Sequence, residues 1–140
     1  MQQLFGAQAR DRTQGVTLSA SHAHLLTEIG FLAAASGDVA RAEPIFGALL
    51  AFRPMRAYPR VGMCVAWMNA GRPVAAVGVL ESAPRDMPPE ERGLVDCWRA
   101  VALQQAGYSA ESVRLLRHVL ESNTEASVLA SSLLGQAIKT

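Results

Sequence analysis

The chain repeats itself. Gly71, Ala76, Leu80 and Pro88 stand 34 positions after Gly37, Ala42, Phe46 and Pro54. A third register runs through Gly107, 36 residues after Gly71, and places Leu116 where Phe46 and Leu80 stand. The two extra residues fall in the polar, Pro-rich linker "SAPRDMPPEERG". A period in this range constrains the fold more than any single element does, because one unit cannot bury its apolar face alone and must stack on its neighbours. The first unit runs from Ala23 to Arg56, the second from Ala57 to about Glu90. Each reads helix, short turn, helix, and the break in the first falls at Ser36-Gly37-Asp38. No segment shows sustained two-residue alternation bounded by hairpin turns, so an all-α chain of about seven helices is expected.

The residue types at the fixed points have physical reasons. Small residues at Gly30 and Ala42 let two antiparallel helices approach closely, Gly37 accepts the positive φ of a tight turn, and Pro54 ends the second helix. With an aromatic at Phe46, this pattern resembles the tetratricopeptide repeat. The third unit departs from it, with Ser112 in place of the small Ala and Thr124 in place of Pro. Pro44 falls inside the second helix of unit one, which predicts either a late start near Ala42 or a kink. Beyond the third unit, Ser122 and Glu125 suggest a capping box. Ala126, Leu129, Ala130, Leu133, Leu134, Ala137 and Ile138 then recur at helical spacing, as a closing amphipathic helix would require. The expectation is an all-α, tetratricopeptide-like helical-repeat solenoid. It has about three helix-turn-helix units and a C-terminal capping helix within residues 18–140. Residues 1–17 are expected to be flexible or to form a short helix anchored by Leu4 and Phe5.

Composition narrows the function. The 140 residues suit one domain; half are hydrophobic, 18% are charged and the formal net charge is +1. Nucleic-acid binding by counterion release needs clustered Lys and Arg, whereas Arg is dispersed here and Lys139 is the one lysine. Cys64 and Cys97 lack any CxxC or Cys/His spacing, so they read as two buried thiols in a reducing compartment, with no metal site and no disulfide framework. The N-terminus lacks the apolar region of a signal peptide and no run is long enough to span a membrane, so a cytoplasmic protein is expected.

No constellation of nucleophile, base or phosphate loop stands out. His22 and His24 are two apart, off a common helical face, and His118 lies alone in the last unit. "PPEER" reads as a solvated linker running into a helix start, with Glu90 and Glu91 set against the helix dipole. Neither enzymatic chemistry nor a cofactor is expected.

The anomaly is "VGMCVAWM", Val61 to Met68, eight positions without a polar face. One stripe, Met63, Cys64 and Trp67, is assigned to the repeat core. The opposite stripe, Tyr58, Val61, Val65 and Met68, is assigned to a concave groove. His24, Thr27, Phe31 and Ala34 correspond in the first unit, and Leu94, Cys97, Val101 and Gln104 in the third. Phe31, Tyr58, Val61, Val65, Met68, Leu94, Cys97 and Val101 are thus the candidate partner-binding residues. Either the stripe is core between neighbouring units, or it is an exposed apolar patch suited to an amphipathic helix laid in a groove. A basic groove clamping a carboxylate would need Lys, Arg and Asn at these positions, and they are absent.

Three segments resemble the signature stretches of the tetratricopeptide-like chaperones that hold the needle subunit of bacterial type III secretion. "HLLTEIGFLA" supplies a Leu-Leu-x-Glu-Ile opening at Leu25, Leu26, Glu28 and Ile29. "WMNAGRPVAA" supplies Met68, Asn69 and Gly71, and "CWRAVALQQAG" supplies Trp98 nine residues before Gly107. The resemblance covers about Leu25 to Leu134. It implies a non-enzymatic chaperone whose groove grips the C-terminal helix of the needle subunit and prevents premature polymerisation, with a small helical co-chaperone on the N-terminal helices of many members. The linker Pro84 to Pro89, "GALLAFRP" and "LASSLLGQAIK" are similar to the related chaperones of translocator proteins, whose ligand is an extended segment. A secretion protein of plant-pathogen type with the same helical build is a further possibility. A scaffold or homo-oligomer in which the stripe is a permanent self-interface is the alternative from another class.

Overall fold

The computed structural model describes residues 19–122 and 124–139, and among these it is all-helical, with seven helices and no strand. They are α1 (Ala20–Ala35), α2 (Val39–Phe52), α3 (Tyr58–Asn69), α4 (Pro73–Glu81), α5 (Pro89–Gln105), α6 (Ser109–Glu121) and α7 (Ala126–Lys139). The reading of residues 1–17 as flexible or short-helical lies outside the described residues.

The repeat is written into the backbone. Gly37, Gly71 and Gly107 have φ of 70°, 78° and 92°, and each ends the first helix of a pair. The hydrogen bonds around them recur. Gly37 N–H donates to Ala34 and Asp38 N–H to Ala33; Gly71 donates to Met68 and Arg72 to Trp67; Gly107 donates to Gln104 and Tyr108 to Leu103. This is the Schellman closure, in which a left-handed residue after the helix lets two orphan carbonyls find donors. Asp38 then starts α2 by accepting the Arg41 N–H at 3.2 Å, and Ser19 starts α1 by accepting that of His22.

The odd helices form one layer, α1 on α3 on α5 on α7, whereas among the described residues each even helix meets its sequence neighbours alone. Small residues make the contacts between layers close. Ala42 and Ala76 are fully buried, and Gly30 and Gly62 both face the ring of Phe46, where a Cβ would collide with it. Phe46 is therefore wedged between α1 and α3. In the third pair Ser112 occupies the small position, and its hydroxyl donates to the Ala100 carbonyl at 2.7 Å, so the extra polar atom is satisfied.

Two sequence expectations are corrected. α2 starts at Val39, directly after its Asp38 cap, and continues through Pro44, so it does not begin late near Ala42. Pro44 and Ala40 are both exposed, and water can replace the helical bond that Pro44 has no N–H to make. Ser122 does not cap α7; it closes α6, its hydroxyl donating to the Val119 carbonyl, and α7 starts at Ala126. Pro88, Pro89 and Glu90 of "PPEER" are exposed and Glu90 and Glu91 stand in the first turn of α5, while ahead of that stretch Ala83 and Met87 are buried and Arg92 donates to the carbonyls of Ala83 and Pro84. In the first turn of α5, Glu91 accepts from the Ala57 N–H at 2.8 Å and the Arg56 Nε at 3.0 Å, so it pins the start of α3.

Candidate binding face of the odd helices

α3 is the middle helix of the odd layer and turns different sides to different neighbours. Gly62 and Ala66 face α1 and α2, while Ala57, Val61 and Cys64 join the cluster built with Ala76 and Leu80 of α4. Val65 lies between these sides, half-buried and packed on both clusters. At the same register on the flanking odd helices stand Phe31 and Val101, also half-buried. The Phe31 ring is anchored edge-on against Phe46, with centroids 5.0 Å apart. Met68, half-buried, extends the row toward the end of α3. Tyr58 is half-buried at its start beneath the Arg56 guanidinium, and Leu94 is exposed at the start of α5.

Two of the expected lining residues belong to the core instead. Val61 is 8% exposed and sits in the α3–α4 cluster; Cys97 is 1% exposed, and its thiol donates to the Ala126 carbonyl of α7. Ala34, at the register of Met68, is fully buried as well. Conversely, the structure adds residues. Cys97, Trp98 and Val101 of α5 face Leu129 and Leu133 of α7 across a wholly apolar crevice of about 100 Å³. Val101 and Leu133 are shared with an adjoining cleft of about 240 Å³, which Ala100, Gln104 and Leu116 also line. In that cleft Gln104 Oε1 is buried without a hydrogen-bond partner. The spacing of Trp98 from Val101 and of Leu129 from Leu133 was visible in the sequence, but that the two pairs face one another depends on how α7 docks.

At the opposite end of the layer a hollow of about 250 Å³ lies between α1 and α3, bordered by His24, Thr27, Arg53 and Tyr58. His24 there pairs with Glu28 one turn on, at 3.2 Å. Both thiols are free and buried. Burial pushes Cys64 up to about 12, and burial together with the Asp96 carboxylate pushes Cys97 up to about 11, so neither is a thiolate near neutrality. Among the described residues no group of three or more His, Cys, Asp or Glu is placed to hold a metal ion, and no helix is long and apolar enough to cross a membrane. Compared with known proteins, the chain matches no family model, no curated protein and no solved structure.

Proposed function

We infer that the three helix pairs and the closing helix constitute a tetratricopeptide-like solenoid whose odd-helix face holds an amphipathic helix of another protein. One observation carries this reading: Phe31, Val65 and Val101 recur at one register on successive odd helices, each half-buried, and the row continues across the crevice to Leu133. Such a row offers apolar side chains at intervals along a shallow face, and an amphipathic helix can cover it with residues at i, i+3 and i+4. The resemblance of "HLLTEIGFLA", "WMNAGRPVAA" and "CWRAVALQQAG" to needle-subunit chaperones narrows the partner to an export substrate, the needle subunit first and a translocator protein second. On this reading the protein is a cytoplasmic, cofactor-free chaperone. By covering the apolar face of the subunit's helix, it keeps that helix from polymerising before export.

Co-expression with the needle subunit of the same organism tests this. The two should purify as one complex. Met68→Glu and Val101→Glu should abolish the complex while preserving helicity, because a carboxylate would be buried unpaired only when the partner docks. Val61→Glu is the control that should unfold the chain. A complex unaffected by either surface variant rejects the groove. Capture of a translocator protein in place of the needle subunit reassigns the substrate, and a stable self-complex hiding the row makes it a self-interface.

A further inference from the structure

A cleft separate from the proposed groove lies on the side of α5 turned away from the row, since Asp96, which lines it, stands about 140° round the helix from Val101. It measures about 270 Å³ and is enclosed by the linker before α5, the first turns of α5 and the end of α6. Met87, Pro89 and Val119 form its apolar wall, and the exposed His118 and Ser122 border it. Asp96 is 8% exposed. Among the described residues no donor reaches its carboxylate within hydrogen-bonding distance: Oδ1 is covered and bare, and Arg92 Nε stands 3.7 Å from it. Arg92 is committed elsewhere, its Nη1 donating to the Pro84 carbonyl at 3.2 Å and the Ala83 carbonyl at 3.5 Å. A carboxylate only accepts, and a buried one calls for donors, so the charge here is balanced while its hydrogen bonds are unmade.

We propose that this cleft binds a primary alkylammonium, its head on the Asp96 carboxylate and its stem along Met87, Pro89 and Val119. With Oδ1 covered, one oxygen is left to a ligand. A guanidinium is matched by two oxygens, whereas an ammonium is a compact charge that one oxygen can meet. The apolar wall suits an aliphatic stem, as the methylenes of a lysine lie on apolar surface while the head keeps a polar partner. The last turn of α6, at His118, ends beside the cleft, and the carbonyl end of a helix favours a cation. Size allows it: n-butylammonium has fewer heavy atoms than benzene, which a cavity of about 150 Å³ holds. Arg92 offsets part of the Asp96 charge, so the small probe should bind weakly, with a Kd of about millimolar. A lysine side chain of another protein and a free amine present the same head and stem, and their binding separates them below.

Titration of the full chain with n-butylammonium tests it, read at the methyl resonances of Met87 and Val119. n-Butanol, with the same stem and no charge, is the control. The ammonium should give saturable shifts and bind at least about tenfold more tightly than the alcohol. Asp96→Asn, nearly the same shape, should weaken the ammonium by at least about tenfold and bring it level with the alcohol. A second variant does not depend on a buried substitution. His118→Lys, at an exposed position on the cleft, tethers an alkylammonium there and should weaken the free one at least about tenfold, whereas His118→Gln should not. Nα-acetyl-lysine amide separates the sources: binding equal to that of n-butylammonium assigns the head to a lysine of another protein, and exclusion assigns it to a free amine, each with the head on Asp96. Three results would overturn the proposal: no saturable shift at Met87 and Val119, so that water alone serves Asp96; equal binding of n-butanol; or binding that Asp96→Asn and His118→Lys leave unchanged.

Discussion

Gly37 and Gly71 have the same backbone conformation but different surroundings, and this separates two costs that usually come together. A Cβ on Gly71 would meet nothing within 4 Å, whereas one on Gly37 would lie 2.8 Å from the Asn69 carbonyl oxygen. Gly71→Ala should therefore cost about 1–2 kcal/mol, from the left-handed conformation alone. Gly37→Ala should cost at least about 1 kcal/mol more, because backbone must move as well. Urea denaturation of the two variants measures the difference, and equal losses would show that the contact is not rigid. The thiols make a second prediction at this scale. Unfolded cysteine ionises near 9, while folded Cys64 and Cys97 hold their protons to about 12 and about 11. Between these limits the native state binds more protons than the unfolded state, so the thiol contribution is complete below about pH 9 and is lost as pH rises toward 11–12. Stability measured from pH 8 to 10.5 should fall, and Cys64→Ala with Cys97→Ala should flatten that fall; an unchanged slope would contradict the assignment. The turn glycines were readable because they recur at a fixed period, each ending a helix that has orphan carbonyls. Gly62 was not, since its need for a missing side chain comes from Phe46 in the preceding unit. Val61 was misassigned for a related reason. The stripe from Tyr58 to Met68 is about 80° wide on a helical wheel, with Met68 and not Val61 on its Cys64 edge, so angle alone does not separate them; Val61 is buried because it packs with Ala76 and Leu80 of α4.

The elements were legible in type and number, and less so in how they are joined. Apolar periodicity and the three turns place the helix pairs, but the contacts at their ends depend on side chains that cross between units. Glu91 is the clearest case. As one of two acidic residues at a helix start it reads as a dipole complement, yet in the structure it also accepts the Ala57 N–H at the start of α3 and pairs with Arg56. The ion pair is more than half exposed on the arginine side and should contribute under about 1 kcal/mol, so Arg56→Ala should be mild. Glu91→Ala leaves a half-buried N–H without its acceptor and should cost about 1–3 kcal/mol, whereas Glu91→Gln keeps an acceptor and should lose less. If the three variants are equally mild in denaturant titrations, the α5–α3 tie contributes no stability. Pro44 shows the converse: a residue that suggests a broken helix is accommodated because its exposed position lets solvent take the place of the absent bond.

For the whole molecule, the odd helices pack in one layer in chain order, whereas the proposed binding face depends on details of packing that one helix cannot reveal. Val61 to Met68 of α3, read alone, is apolar all round; only its position between α1, α2, α4 and α5 distributes that surface into core at Val61 and Cys64 and a half-open row at Val65 and Met68. The most direct test of the proposed groove follows methyl resonances of the intact protein while the C-terminal helix of the needle subunit is titrated in. The account predicts shifts at Val65, Met68, Val101 and Leu133 that saturate together, with Leu25 and Leu32 unmoved. Shifts confined to the outer face of α1, or none at the row while the peptide binds, would contradict it.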